Sequence, residues 1–255
     1  MTEWVTDRER LRAFVYSDVV RNAIVSQRVF YPRRETRYLV DGADDVRALA
    51  AIEKPADEFD AAAIAIQASD EEAAGKVIDD LPAGKYWFHL VNEDILGIVR
   101  RRMRIGWCSS AWLLALSPGD LRDEKRHETK RIDPSWASKI ARAWAYDWDA
   151  TEYVKARIEN GPSAGVFIDG ELVAWNLTHF ETDRVSAMGL LVVLPSHRGK
   201  GYAESVTIDV ASQVLAAGRT PLCHIYEDNQ VSLAMSEGLG FKRICRQVWG
   251  DGVTR

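Results

Sequence analysis

The sequence predicts an α/β protein of two domains, and three observations carry that expectation. Strand-like and helix-like stretches alternate along the chain, and a charged segment splits the alternation into two similar runs. In the second run a glycine-bearing turn joins a buried strand to an amphipathic helix. At 255 residues, with 47% hydrophobic and 28% charged composition, the chain can bury a substantial core, which excludes a disordered or fibrous protein.

In the first run, residues 6–26 carry Leu11, Phe14, Val15, Val19 and Ala23 near helical spacing and are expected to form one helix. Strands are expected at 36–40, 46–52 and 61–67. Ser69 with Glu72 has the pattern of a capping box, opening a helix through about Asp80. Pro82 and Gly84 then lead to a strand at 86–91, a helix at 93–103 and a strand at 110–116. The basic cluster Arg100, Arg101, Arg102 and Arg104 ends that helix, where positive charge complements the dipole. Ser117-Pro118-Gly119 closes the run, and residues 120–131 read as a linker.

The second run opens with Asp133 as N-cap and Pro134 at the first helical position, on a helix expected to put Trp136, Ile140, Trp144 and Trp148 on one side. Helical spacing of these aromatics points to core packing. Asp149 with Glu152 caps a further helix ending at Asn160-Gly161-Pro162. A hairpin follows, 165–168 and 172–180 about the Asp169-Gly170 turn. Then come a strand at 185–194, a helix at 200–217 ended by Gly218, a strand at 221–226, a helix at 230–238 and a strand at 241–249. The boundary between the domains is expected between residues 128 and 129.

Charge and cysteine usage exclude several classes. The net charge is −5, and neither half is net positive (−3 through residue 130, −2 after it), so no nucleic-acid partner is expected. The longest apolar run, 187–194, is too short for a membrane span, and the first residues lack the basic and apolar regions of a secretory leader. Cys108, Cys223 and Cys245 are widely spaced, without a metal-ligand pattern, so no metal is expected and the compartment is expected to be the reducing cytoplasm. Cys223, next to Leu222 on a strand, reads as an inert thiol. No Gly-x-Ser-x-Gly elbow supports a hydrolase.

The stretch from Leu190 to Ala203 carries the chemistry. A buried strand, interrupted by Pro195, runs into Arg198-Gly199-Lys200-Gly201 at the start of a helix. Glycines there let backbone N–H groups turn inward, the helix N-terminus adds positive potential, and Arg198 and Lys200 supply full charges, a nest suited to pyrophosphate. A proline cannot donate to the ladder, so the strand is expected to part from its neighbour and leave backbone groups for an extended ligand.

This region resembles the GNAT superfamily of acyl-CoA-dependent N-acyltransferases. That family carries Gln/Arg-x-x-Gly-x-Gly/Ala after a strand ending Leu-x-Val-x-Pro; Arg198, Gly201 and Ala203 match the first pattern, and Leu191, Val193 and Pro195 the second. Asn229 before a helix ending in Leu239-Gly240-Phe241 is similar to a further family block. The resemblance covers about residues 131–255. It implies a mixed sheet flanked by helices, acetyl-CoA or another acyl-CoA as cosubstrate, and a small-molecule or peptide amine as acceptor. The coenzyme-binding positions it implies are Leu191, Val192, Val193, Arg198, Gly199, Lys200, Gly201, Tyr202, Ala203, Asn229 and Ser232, with a backbone N–H near Val193 polarising the thioester. The first half looks like a degenerate copy without the glycine loop, an architecture similar to the glycine N-acyltransferase-like branch.

Two departures leave the proton-transfer groups open. Seven positions after Asn229, where many members have a tyrosine that protonates the thiolate, stands Ser236, and Tyr226 on the preceding strand is a substitute. Where the glycine N-acyltransferases carry a glutamate stands Ala187. His179, Glu181 and Asp183 near a hairpin turn are candidates for the base, though polar residues belong at such a turn for solvation alone. Two alternatives are an acyl-CoA-binding sensor without catalysis and a dinucleotide-binding domain, in which Glu227-Asp228 ends the strand after the glycine turn.

Overall fold

The structure is a computed structural model describing residues 1–42, 45–55, 60–145 and 148–254. Two compact units emerge from its internal contacts. The first comprises residues 1–113 and 226–228 with the chain from 244 onward; the second comprises 114–225 and 229–243.

In the first unit the elements are β1 (Thr2–Val5), α1 (Arg12–Val15), α2 (Ala23–Phe30), β2 (Thr36–Asp41), β3 (Ala48–Glu53), β4 (Ala61–Ala68), α3 (Glu71–Asp79), β5 (Lys85–Leu90), α4 (Leu96–Arg102) and β6 (Met103–Ala115). The last strand of the chain, β11 (Lys242–Thr254), returns to this sheet, whose order is β1-β2-β3-β4-β5-β11-β6. Leu39, Ala50, Ile64, Ile66 and Phe88 meet Ala74 and Val77 of α3 and Ile98 of α4 in one apolar core. The strands β4 and β5 are parallel and paired over six residues, Ala61↔Lys85 to Ile66↔Leu90.

In the second unit, α5 (Ala137–Trp144) and α6 (Thr151–Asn160) precede β7 (Ser163–Ile168), β8 (Glu171–Glu181) and β9 (Val185–Val193). These are followed by α7 (Tyr202–Ala216), β10 (Thr220–Tyr226) and α8 (Gln230–Gly238). The strand order is β10-β9-β8-β7, antiparallel except for β9 with β10. The antiparallel β7–β8–β9 array is not the mostly parallel βαβ sheet of a dinucleotide-binding domain. Side chains alternate along β8: Trp175 and Leu177 join Ile140, Val154 and Ile158 of α5 and α6, while Asn176 between them donates to Thr207 Oγ1 of α7 at 3.2 Å. The helices therefore cover both faces. Asp169 and Gly170 both take positive φ (50° and 82°) in the hairpin turn, as the sequence required.

Several local expectations need correction. Residues 6–26 are not one helix: α1 stops at Val15 and α2 starts at Ala23. Between them Asp18 Oδ1 accepts from the N–H groups of Val20 and Arg21, and the Ser17 hydroxyl donates to the Phe14 carbonyl; these side chains compete with the helical ladder. The N-cap of α3 is Asp70, accepting from Ala73 N–H, and Ser69 instead donates to the Asp70 carboxylate. The helix α5 ends at Trp144, so Trp148 lies beyond it. Segment 120–131 is strapped to the second unit through Lys130 pairing with Gly165, Thr129 with Asp209, and Asp120 with Lys242. Among the described residues no helix is long and apolar enough to cross a membrane.

Candidate functional site

The strand β9 changes character at its midpoint. Its parallel register with β10 runs over Thr220↔Val185 to Cys223↔Met188, and β9 continues five residues past the last pair. Burial follows: Val185–Met188 are buried, whereas Gly189, Leu191, Val192 and Val193 are half-exposed. The parting expected from Pro195 therefore begins earlier, at Gly189. Its cause is a β-bulge. Trp175 pairs with Val192 and Leu177 with Gly189, so Leu190 and Leu191 together oppose Asn176, and Leu190 takes φ 55°.

A second bulge lies three residues along β8. Thr178 pairs with Met188 and Phe180 with Ala187, which leaves His179 as the extra residue of β8. The two bulges compensate, and the register beyond them is restored. His179 is thereby turned across Gly189: a Cβ on that glycine would lie 2.3 Å from both Cδ2 and Nε2 of the imidazole. The other ring nitrogen, Nδ1, is hydrogen-bonded to the Tyr153 hydroxyl at 2.8 Å. Trp144 stacks on Tyr153 (5.6 Å, 20°) and lies 5.7 Å from the His179 ring, and Trp148 packs against both Trp144 and Tyr153.

At the other end of the exposed edge, Pro195–His197 form a short 3-10 turn and Gly201 is the N-cap of α7 at φ 82°. Gly199 is also left-handed, φ 73°. A side chain at either position would strain the loop, and Gly201 as N-cap offers no side-chain oxygen to the first N–H groups of α7. The exposed Arg198 donates from Nε to the Val193 carbonyl at 3.3 Å, tying loop to strand, and Lys200 is exposed beside it. Tyr202 and Ala203 form the first turn, with Glu204 as the nearby acid.

Two residues of the supposed linker join this loop. His127 Nε2–H donates to the Lys200 carbonyl at 2.6 Å, with its ring edge-on to Tyr202 at 4.5 Å. Arg126 Cδ lies 3.5 Å from where a Gly201 Cβ would stand. Sequence reasoning missed both, because they read as solvated charges in a loop; their signal was the run Lys125-Arg126-His127 between Glu124 and Glu128.

The remaining candidates separate. Asn229 Oδ1 caps α8, accepting from Ser232 N–H at 3.2 Å. Ser236 is buried on α8 and hydrogen-bonded to Cys223, whose thiol is pushed up to about 12 by burial. Tyr226 stands at the end of β10 with Trp107 edge-on at 6.3 Å; partial desolvation of the residue, then the Asp228 charge, raise its pKa above the ordinary phenol value. Glu181 receives a bidentate pair from Arg157 Nη2 (2.7 and 2.6 Å) and a short hydrogen bond from the Thr178 hydroxyl. Its carboxylate is thus committed to holding α6 against β8. Asp183 lies beside Arg184, 3.3 Å away. Among the described residues no group of three or more His, Cys, Asp or Glu is arranged to hold a metal.

Residues 163–250 match the FR47-like protein family model. No curated protein matches. Among solved structures, a Drosophila protein aligns over 99% of this chain and 98% of its own at TM-score 0.77 and 14% identity. A GNAT-family acetyltransferase from Colwellia psychrerythraea aligns over 100% of both chains at TM-score 0.63 and 12% identity. A tandem GNAT protein from the clavulanic acid biosynthesis pathway aligns over 99% of this chain and 98% of its own at TM-score 0.61 and 13% identity. The fold is therefore the mixed α/β fold of these GNAT structures.

Proposed function

We propose that the protein transfers an acyl group from acyl-CoA to an amine, with the coenzyme held by the second unit. One observation carries this: an edge of β9 released from β10 leads directly into an uncapped helix N-terminus flanked by Arg198 and Lys200. The pyrophosphate sits on the N–H groups around Gly199–Ala203, with Arg198, Lys200 and Arg126 supplying charge. The pantetheine arm pairs with the β9 backbone through Leu191–Val193, and Asn229 and Ser232 border the far side. A β9 N–H polarises the thioester carbonyl, a preorganised dipole of the kind that stabilises a developing oxyanion. Ser236 of α8 returns a proton to the departing thiolate.

The first unit is a degenerate partner, in an architecture similar to the glycine N-acyltransferase-like branch, and the chain works in the cytoplasm. All six residues of its β5 pair with β4, and its α3 is capped by Asp70 with Glu71 and Glu72 in the first turn, which would repel a phosphate.

Calorimetry with coenzyme A tests this reading. Wild type should bind, with affinity falling as salt rises; Arg198→Ala and Arg126→Ala should each weaken binding by roughly tenfold or more, the worth of a charge-assisted hydrogen bond. Unchanged affinity in Arg198→Ala, or no binding by wild type, overturns it.

A further inference from the structure

We propose that His179 is the general base of this transfer and that the acceptor is an amine on an apolar or aromatic body, received by the ring corner of Trp144, Trp148 and Tyr153. The inference rests on the acyl-CoA reading above. From Val193 to Gly189 the exposed edge of β9 runs four steps, roughly 13 Å at ordinary strand rise, a length comparable to an extended pantetheine arm. A coenzyme anchored at the α7 loop therefore delivers its thioester to the neighbourhood of Gly189. His179 is the residue lying across that glycine, and it is there because a bulge, at a cost in ladder pairing, turns it there.

The chemistry follows from the two ring nitrogens. In the tautomer this role requires, Nδ1–H donates to the Tyr153 oxygen 2.8 Å away and Nε2, on the Gly189 side, carries the lone pair. Nε2 takes one proton from the ammonium form of the acceptor. The neutral amine attacks the thioester carbon, a C–N bond forms, the C–S bond breaks and the thiolate leaves with the bonding pair. The second amine proton ends on the thiolate and the first passes from the imidazole to water. Glu181 does not compete for this role, because Arg157 and Thr178 occupy both its oxygens. Half-exposed aromatic rings on the His179 side favour an apolar acceptor body over a small anionic one.

The test uses the full chain, acetyl-CoA, and two primary amines, phenethylamine and glycine. Wild type should acetylate phenethylamine with kcat/KM at least tenfold above glycine. His179→Gln should cut kcat by roughly 10²–10⁴-fold with coenzyme A affinity unchanged, and Tyr153→Phe by about tenfold. Added imidazole should restore part of the rate to His179→Ala, which a purely structural role for the ring would not allow. Turnover of His179→Gln within threefold of wild type overturns the base assignment. Glycine matching phenethylamine, or no turnover of phenethylamine by a protein that binds coenzyme A, overturns the acceptor class. Loss of coenzyme A binding by wild type refutes the underlying acyl-CoA reading instead.

Discussion

Replacing Glu181 with alanine separates a structural carboxylate from a catalytic one. Arg157 and Glu181 are about nine-tenths buried as side chains, and Arg157 also donates from Nε to the Thr178 carbonyl at 2.9 Å. Removing the carboxylate leaves the guanidinium buried without its counter-charge, a change that costs about 3–5 kcal/mol. At an m-value of about 2 kcal/mol/M in urea, the unfolding midpoint should fall by about 1.5–2.5 M. The charge-free pair Arg157→Met/Glu181→Leu should recover most of that loss, because an apolar replacement incurs no desolvation penalty. Urea titration followed by tryptophan fluorescence reads both variants. A Glu181→Ala midpoint within about 0.3 M of wild type at unchanged m would refute the reasoning. So would a double variant as unstable as the single one.

Acid should act on the first unit through Asp70. Its carboxyl is lowered to about 2, first by the Ala73 N–H and then by Arg47, so its contribution is complete above its unfolded value near 4 and disappears as pH falls through about 2. A carboxyl NMR titration of the folded protein with a midpoint near 4 would contradict this. Cys223, with its thiol pushed up to about 12, should resist iodoacetamide at pH 8 in the folded protein and react once unfolded; rapid labelling of the native thiol, read by peptide mass spectrometry, would show that burial does not protect it.

Much of the fold was legible because the deciding signals are local. The Asp169-Gly170 turn announces its hairpin, Gly218 stops α7, and α8 spans the residues its N-cap and glycine mark out. Failures occurred where side chains competed with the backbone or where the deciding partner was remote. Nothing in the apolar spacing of residues 6–26 shows that Ser17 and Asp18 would bond the backbone and interrupt the helix. Likewise β6 and β11 outrun their expected lengths, because Met103–Ala115 and Lys242–Thr254 find a ladder only in the folded sheet.

The candidate site divides along the same line. The anion end was legible, since Gly199 and Gly201 are required by left-handed backbone and stand next to full positive charges. Its reinforcement by Arg126 and His127 was not, because 73 residues separate His127 from the carbonyl it holds. The reactive end was invisible for a deeper reason. Hydrophobic alternation with period two cannot show two compensating bulges, since the register they disturb is restored on either side. By alternation alone, His179 is one more polar residue before a turn and Gly189 one more small residue in a buried strand. The imidazole meets Gly189 because the ladder slips by one residue for the length of a single turn of pairing and then recovers. A ring can be re-aimed toward an open strand edge in this way without disturbing the alternating core that holds both strands in place.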